Sequence, residues 1–272
     1  MTKKLITENA NWLKTYDGSR ELEAISMLPV VQRLQGKNGV NIVDIGCGNG
    51  RSLKLLNTLF PYAHITAIDK IEENIQYAKK YIAINDIEYT VCDAIEYFSS
   101  NYDKIFDLAF FSWSFFDMIS EPNQSDKEKM LKSFLDDVVN HLDKDGAIIV
   151  LQPTKGGTFE KLLSLFIPSS DDVYAFTHSF LKSYGFIGPE SIIPLWNEPL
   201  GIWSEFKYHN DDELFHGIAS VLSLEVDEVL PWEKYHEKVL TFRKENKLSR
   251  NELLTLSDCV NIYYLHKGVD NV

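Results

Sequence analysis

The sequence has 272 residues, 44% of them hydrophobic, and only 9 prolines, so it can bury the core of one or two globular domains. Its formal net charge of −13 argues against a nucleic-acid backbone as the main partner, because phosphate binding needs a basic surface. The 3 cysteines are widely spaced and the 7 histidines lack metal-ligand spacing, which argues against a disulfide framework and a metal site. No signal peptide and no apolar run of membrane-spanning length is recognisable, so we expect a cytoplasmic protein.

The first segment, Leu5 to Leu34, is predicted to form one or two helices ahead of the first strand. Trp12 and Tyr16 are spaced to share a helix face, and Asp17 to Ser19 marks a break. Pro29 is expected to interrupt or kink the second helical stretch.

The clearest local pattern is Asn41 to Gly50, which reads N-I-V-D-I-G-C-G-N-G. A short β-branched apolar run, three glycines, and then leucines at helical spacing predict a buried strand, a tight turn and a helix. In a parallel α/β sheet this arrangement opens a crevice for a nucleotide-like ligand. Glycines allow positive φ angles and let a ligand approach the backbone, although such a run is also found in tight turns without a ligand.

Two later strand-like runs each end in an acidic residue. Ile65 to Ile68 is followed by Asp69, about twenty residues past the glycines, where a carboxylate can bind both ribose hydroxyls. Tyr89 to Cys92 is followed by Asp93, which could accept a hydrogen bond from an adenine amino group. Three consecutive strands are therefore predicted to deliver ligand-binding groups to one edge of a sheet.

This constellation resembles the class I S-adenosylmethionine-dependent methyltransferases. Asp44 to Gly50 (D-I-G-C-G-N-G) matches their first motif, Asp69 their second-strand acid, and Cys92 to Ala94 (C-D-A) their third-strand motif. Phe106 to Phe111 and Asp145 to Val150 match the fourth and fifth strands. The resemblance implies S-adenosyl-L-methionine as the cofactor. It also implies a Rossmann-like, doubly wound, seven-stranded, mostly parallel α/β sheet with an antiparallel edge strand, an N-terminal helical lid and C-terminal decorations.

The resemblance assigns cofactor contacts to several residues. Tyr16 and Arg20 would contact the methionine carboxylate, unless Tyr16 packs on the core and Arg20 is a solvated helix charge. Asp44 would accept hydrogen bonds from the glycine turn or help to hold the amino-acid end of the cofactor, and Cys47 would serve as a small loop residue rather than a reactive thiol. The predicted cofactor-binding residues are Tyr16, Arg20, Asp44, Gly46, Cys47, Gly48, Asp69, Lys70, Asp93, Ala94 and Ser112.

The remaining elements follow from hydrophobic periodicity and turn residues. Helices are predicted over Ile71–Ile82, Met130–Leu142 after a capping box at Ser125 and Glu128, Val173–Tyr184, Leu214–Leu222 and Pro231–Leu240. Strands or extended segments are predicted over Ala147–Leu151, Glu190–Trp196, Gly201–Tyr208 and Cys259–Leu265, the last antiparallel at the sheet edge as the resemblance implies. We interpret the chain as one domain, with a lid over residues 1–38, a cofactor-binding core over 39–151 and a substrate side over 152–272.

The reacting methyl group would lie where the chain leaves the fourth strand, at Ser112 to Asp117. Trp113 and the neighbouring phenylalanines could exclude water and face a cation, and Asp117 could orient an amine or take its proton. We therefore name Trp113 and Asp117 as the catalytic candidates. The competing interpretation is that Phe115 and Phe116 are core packing and that Asp117 caps a helix.

The predicted function is methyl transfer from S-adenosylmethionine to a small molecule or short peptide, with nitrogen slightly favoured over oxygen because the chain is acidic and Asp117 is present. We expect no nucleic acid, membrane or metal partner, and the sequence does not indicate an oligomeric state. One alternative is a non-catalytic module that only binds the cofactor. Another is a nicotinamide-dependent oxidoreductase, although its glycines would be spaced G-x-G-x-x-G.

Overall fold

The computed structural model describes residues 20–34, 36–37, 39–100, 103–115, 118, 127–154, 161–162, 165, 171–188, 202–208, 232–245 and 254–268. The strands are β1 (Asn41–Ile45), β2 (His64–Asp69), β3 (Ile87–Val91), β4 (Phe106–Ser112), β5 (Leu142–Thr154), β6 (Ile202–Tyr208) and β7 (Leu254–His266). The helices are α1 (Arg20–Leu34), α2 (Arg51–Leu59), α3 (Glu72–Tyr81), α4 (Ala94–Ser100), α5 (Lys127–Asn140), α6 (Asp171–Tyr184) and α7 (Trp232–Glu245).

The strands form one sheet in the order β3-β2-β1-β4-β5-β7-β6. The first five strands pair in parallel, so their carboxyl ends meet at one edge. The chain first adds strands on one side of β1 and then returns to add β4 on the other side. This reversal lies between β1 and β4, and in open α/β sheets such a switch point opens a crevice for a ligand.

Beyond β5, the sheet continues with the antiparallel strand that the sequence predicts, β7. β7 pairs antiparallel with β5 through eight residue pairs from Ala147↔His266 to Thr154↔Cys259. Its outer side pairs antiparallel with β6, which places β7 one position in from the edge. The predicted extended segment Gly201–Tyr208 therefore becomes the outermost strand of the sheet.

Helices cover both faces of the sheet. On one face the apolar residues of α1, α2 and α3 pack with Ile42, Leu108 and Ile149 of the central strands. On the other face those of α4, α5 and α6 pack with Val43, Ala109 and Val150. Successive strand residues alternate between the two clusters because side chains of a strand point alternately to opposite faces. The doubly wound, mostly parallel α/β fold predicted from the sequence is thus confirmed.

The amino end of the sheet, opposite the predicted site, is held by a partly exposed cluster of charged side chains. Lys37 donates from its Nζ atom to the carboxylates of Asp107 in β4 and Asp143 in β5. Asp107 also accepts from the backbone N–H of Asn41, at 2.8 Å. One lysine and two carboxylates therefore join β1, β4 and β5 at the end where the strands begin.

Several element boundaries differ from the predictions. α1 is not interrupted at Pro29, which is exposed on the surface of that helix. α4 was not predicted, because a helix of seven residues has too few turns to show a period. β5 begins at Leu142, which the periodicity had assigned to the end of α5. The predicted strand Glu190–Trp196 and helix Leu214–Leu222, together with Trp12, Tyr16 and Ser125, lie outside the described residues.

Candidate functional site

The glycine turn between β1 and α2 is anchored to the neighbouring strand. The backbone N–H groups of Gly46 and Cys47 donate to the carbonyl oxygen of Ile68 in β2, at 2.8 and 2.9 Å. Gly46, Gly48 and Gly50 have φ angles of 72°, 53° and 89°. This left-handed conformation is costly for any residue with a Cβ atom, so the turn requires glycine at all three positions.

The three glycines differ in what surrounds them. A Cβ atom on Gly46 would lie 2.4 Å from the Cβ atom of Ser114, and one on Gly50 would lie 2.7 Å from Cγ1 of Ile82. A Cβ atom on Gly48 would meet no atom within 4 Å. Protein packing therefore excludes side chains at Gly46 and Gly50, whereas Gly48 presents its backbone to open space that a ligand can enter.

Asp69, the last residue of β2, joins that strand to the glycine turn. Its Oδ2 atom accepts from the backbone N–H of Gly48 at 2.8 Å, and its Oδ1 atom accepts from the N–H of Ile71 at 2.8 Å and from Asn74 at 3.3 Å. The residue is 8% exposed. Burial raises the pKa of the Asp69 carboxyl, while the bonds from Ile71 and Gly48 act in the opposite direction. The predicted ribose acid thus lies beside the ligand-facing glycine.

Asp44 is fully buried in β1, and its hydrogen-bond donor is not the one predicted. The Oγ atom of Ser52, in the first turn of α2, donates to Oδ2 of Asp44 at 2.5 Å. The expected donors were the backbone amides of the glycine turn, but those of Gly46 and Cys47 are directed to Ile68. Sequence reasoning missed Ser52, although its position two residues after the last glycine places it at the start of the helix.

The second carboxylate oxygen of Asp44 has no hydrogen-bond partner within the part of the chain that the structure describes. Burial raises the pKa of Asp44 to about 7, the bond from Ser52 opposes that rise, and the nearby Asp69 carboxylate adds to it. A buried oxygen without a donor is costly, so this position favours a ligand that brings a donor or a positive charge.

Cys47 behaves as a small apolar residue in the turn. It is buried, and its Sγ atom contacts the carbonyl oxygen of Gly48 at 3.6 Å. Burial raises the pKa of the Cys47 thiol well above its usual value, which keeps it protonated and unreactive.

Asp93 follows β3 and begins α4, which the sequence analysis did not predict. Its Oδ1 atom accepts from the backbone N–H of Ile95 at 2.9 Å, and its carbonyl accepts from Tyr97 at 2.9 Å. Asp93 is exposed and Ala94 half-buried, at the same edge as Asp69, since the Cys92 N–H donates to the Asp69 carbonyl at 3.1 Å. The carboxylate thus caps a helix and remains accessible to a ligand. Lys70 is also exposed at this edge.

The turn after β4 approaches the glycine turn closely. Trp113 has a φ angle of 68°, rare for a residue with a side chain, and its backbone N–H donates to the Leu151 carbonyl at 2.9 Å. Ser114 then donates from Oγ to the carbonyl oxygen of Ile45, next to Gly46. Ser112, half-buried, ends β4 at this turn. The structure therefore brings the predicted methyl-transfer segment against the predicted cofactor turn.

Of the two alternatives for Phe115, a wall against water or core packing, the structure shows core packing. This side chain is fully buried, with its ring 5.5 Å from the ring of Phe111 and 6.2 Å from that of Phe180. It is core packing, as the competing interpretation stated. Phe116, Asp117 and Tyr16 lie outside the described residues, and Arg20 is described only as the first backbone position of α1.

No group of three or more His, Cys, Asp or Glu side chains among the described residues is placed to hold a metal ion. No helix among those residues is both long and apolar enough to cross a membrane.

Residues 36–171, which are half of the chain, match a family described as a methyltransferase domain. A malonyl-[acyl-carrier protein] O-methyltransferase of Bacillus anthracis is 32% identical over 155 residues, which are 56% of this chain and 51% of that protein. The corresponding protein of Acetivibrio thermocellus is 33% identical over 104 residues, which are 37% of this chain and 36% of that protein. The chain spans about half, or less, of the length of these curated relatives.

Solved structures agree with the fold. The plantazolicin methyltransferase BpumL in complex with SAH has a TM-score of 0.51 and 18% identity, over 98% of this chain and 89% of that chain. The YcgJ protein of Bacillus subtilis has a TM-score of 0.51 and 10% identity, over 90% of this chain and 99% of that chain. The family match covers half of the chain, so the chain belongs to the class I S-adenosylmethionine-dependent methyltransferases.

Proposed function

We propose that this protein transfers a methyl group from S-adenosylmethionine to a small molecule or short peptide, with an amine nitrogen as the favoured acceptor. The observation that carries the proposal is the edge formed by β1, β2 and β3, where Gly48, Asp69 and Asp93 follow one another beside open space. The chain is treated as one domain, with a lid over residues 1–38, a core over 39–151 and a substrate side over 152–272.

The residues at this edge suit the parts of the cofactor. Gly48 leaves room for the ligand against the backbone, and Asp69, at the end of β2, is assigned to the ribose hydroxyls. The exposed carboxylate of Asp93 is assigned to the adenine amino group, with Ala94 beside it. Lys70 and Ser112 flank these contacts. Asp69 already accepts three hydrogen bonds, so ribose binding must use its remaining acceptor capacity or replace the bond from Asn74.

The amino-acid end of the cofactor is assigned to Asp44. Its unpartnered buried oxygen fits a positively charged ammonium group, whose approach would hold the carboxylate ionised. Arg20 and Tyr16 are assigned to the methionine carboxylate, as the family resemblance implies for a segment before β1 that closes over the cofactor.

When bound, the cofactor supplies an electrophilic methyl group on a sulfonium. The protein's task is then to align the acceptor with that methyl group, and such orientation can lower a barrier by about 7–11 kcal/mol. Trp113 and Asp117 are assigned to this task, Trp113 as a wall against water and Asp117 as a group that orients an amine or takes its proton.

Different observations support nitrogen and oxygen as the acceptor atom. The net charge of −13 and Asp117 support a cationic amine, whereas two relatives are named as O-methyltransferases. Oxygen is therefore the second candidate. Family membership removes the nicotinamide-dependent oxidoreductase, and the non-catalytic module remains the alternative to an enzyme.

Labelled S-adenosylmethionine, incubated with the protein and a panel of amines, phenols and carboxylates, tests the proposal. We expect label in one class of acceptor and a rise of the unfolding midpoint with S-adenosylhomocysteine (SAH), because a ligand of the native state stabilises it. Label only in hydroxyl or carboxyl acceptors would remove the preference for nitrogen. Binding of SAH without transfer to any acceptor would support the non-catalytic module.

A further inference from the structure

Gln152 lies at the end of β5, next to the turn where β4 ends. Its neighbour Leu151 pairs with Ser112 of β4, and the Leu151 carbonyl accepts from the backbone N–H of Trp113. Gln152 is therefore one residue beyond the point where the predicted methyl-transfer segment leaves the sheet.

The side chain of Gln152 lies on the face covered by α5 and α6. Ile148 and Val150 of β5 pack in the cluster on that face, together with Phe134 and Phe180. Side chains alternate along a strand, so Gln152 shares the face of Val150. This is the face opposite α1, α2 and α3.

A chain of hydrogen bonds runs beside Gln152 on the same face. Its cross-strand neighbour in β7 is Asn261. The amide nitrogen of Asn261 donates to the hydroxyl of Tyr263 at 3.3 Å, and that hydroxyl lies 2.8 Å from Nδ1 of His178 in α6. The Asn261 amide nitrogen is thus engaged by Tyr263, which is only 2% exposed. That bond uses one of the two N–H groups of the Asn261 amide, and neither the other N–H nor its Oδ1 atom makes a hydrogen bond with Gln152.

Gln152 itself is 2% exposed, yet neither end of its amide has a hydrogen-bond partner among the described residues. A buried side-chain amide without partners is strongly unfavourable, and nearly all such groups in native proteins are paired. Because Gln152 is buried, only a ligand group that reaches past the sheet edge can contact its amide. A polar group of the methyl acceptor that reaches past the carboxyl ends of β4 and β5 would satisfy both atoms.

We propose that Gln152 is a specificity-determining residue that recognises a primary carboxamide in the methyl acceptor by two hydrogen bonds. The Gln152 Nε2 atom donates to the carbonyl oxygen of the acceptor, and its Oε1 atom accepts from the N–H on the same side of that carboxamide. A carboxylate can only accept, and an ester has no donor, so each leaves one atom of Gln152 unpaired. This inference rests on the proposed methyltransferase function and names its substrate class.

The first test uses the full chain saturated with SAH and titrated, by NMR, with propionamide, propionate and methyl propionate. We expect propionamide to shift the side-chain amide signals of Gln152 and to bind about tenfold more tightly than the ester, because only the carboxamide fills both hydrogen bonds. Equal affinity for the three probes, or no shift of those signals, would overturn the inference. This titration needs no variant and no turnover.

The second test compares transfer to two matched pairs of acceptors. β-Alaninamide and propylamine share an amine, and malonamic acid and butyrate share a carboxylate, but only the first of each pair carries a carboxamide. The wild type should prefer the carboxamide member in whichever pair is methylated, through a lower KM. Gln152→Leu should remove that preference, and Gln32→Leu, an exposed position of α1, should keep it. A preference unchanged in Gln152→Leu would exclude the assignment.

Affinity for SAH distinguishes a failure of the proposed methyltransferase function from a failure of the proposed role of Gln152. If the wild type neither binds SAH nor transfers label to any acceptor, the proposed function fails. If it binds SAH and the three probes behave alike, only the role of Gln152 fails.

Discussion

The glycine turn gives the sharpest prediction, because its three glycines are required for different reasons. Alanine at any of them has to adopt a positive φ angle, which costs about 1–2 kcal/mol. At Gly48 nothing further is expected, since the new Cβ atom has no neighbour within 4 Å. At Gly46 the Cβ atom would lie 2.4 Å from Cβ of Ser114, and relief of that overlap adds about 1–3 kcal/mol. Gly46→Ala should therefore lose about 2–5 kcal/mol in total, the sum of the two costs.

Binding of SAH should follow a different order from stability. We expect Gly48→Ala to weaken it about tenfold or more, and Gly48→Val to abolish it, because the side chain occupies the space that the ligand needs. Urea denaturation would give the free energies of unfolding, and calorimetric titration the dissociation constants. Gly36→Ala is the control, since Gly36 has no neighbour within 4 Å and no positive φ.

Two outcomes would refute this reasoning. An SAH dissociation constant for Gly48→Ala within about twofold of the wild type would mean that the glycine serves only the turn. Equal losses of stability in Gly46→Ala and Gly48→Ala would mean that the contact with Ser114 is not restrictive.

The other predictions concern Asp69, Asp44 and the N-terminal segment. Asp69→Ala should weaken SAH binding by about 2–3 kcal/mol. Part of that loss should arise because the N–H groups of the turn lose their acceptor, so Asp69→Asn, which keeps an acceptor oxygen, should lose less binding free energy. The Asp44 pKa is about 7 in the folded protein, against 3.8 for an unperturbed Asp, so the native state holds the proton more tightly. The free energy of unfolding should therefore fall as pH rises from about 4 to 7, by a few kcal/mol at most, and Asp44→Asn should lack this decrease in urea denaturation at several pH values. Amide exchange in Leu5 to Arg20 should slow when SAH binds, and deletion of residues 1–16 should lower turnover more than stability; equal exchange with and without SAH would contradict the lid.

The parts of the site that the sequence predicted are those that lie at the ends of strands. The glycine turn follows β1, Asp69 ends β2 and Asp93 lies two residues after β3, and parallel strands place their carboxyl ends at one edge. Ser52 was missed because its contact with Asp44 depends on how α2 is rotated against β1.

The substrate side was less predictable for a similar reason. Gln152 acquires its surroundings from β7, which is more than a hundred residues later in the chain, and nothing in the sequence near position 152 indicates that pairing. Phe115 was assigned to two alternatives because an aromatic residue after a strand suits either a core or a pocket wall. Only the direction of its ring, toward Phe111 and Phe180, decides between them.

The bond from Ser114 to the carbonyl of Ile45 has a consequence for attempts to change the acceptor. This hydrogen bond joins the turn after β4, which a redesign of the acceptor site would change, to the glycine turn, which has to stay intact. The Cβ atom of Ser114 also occupies the space next to Gly46. A library that randomises positions 112–117 should therefore yield folded variants with diverse residues at 112, whereas the positive φ angle at 113 restricts the choice there. At 114 it should return small hydroxyl-bearing side chains almost alone. New acceptor preferences would have to be built around this fixed point.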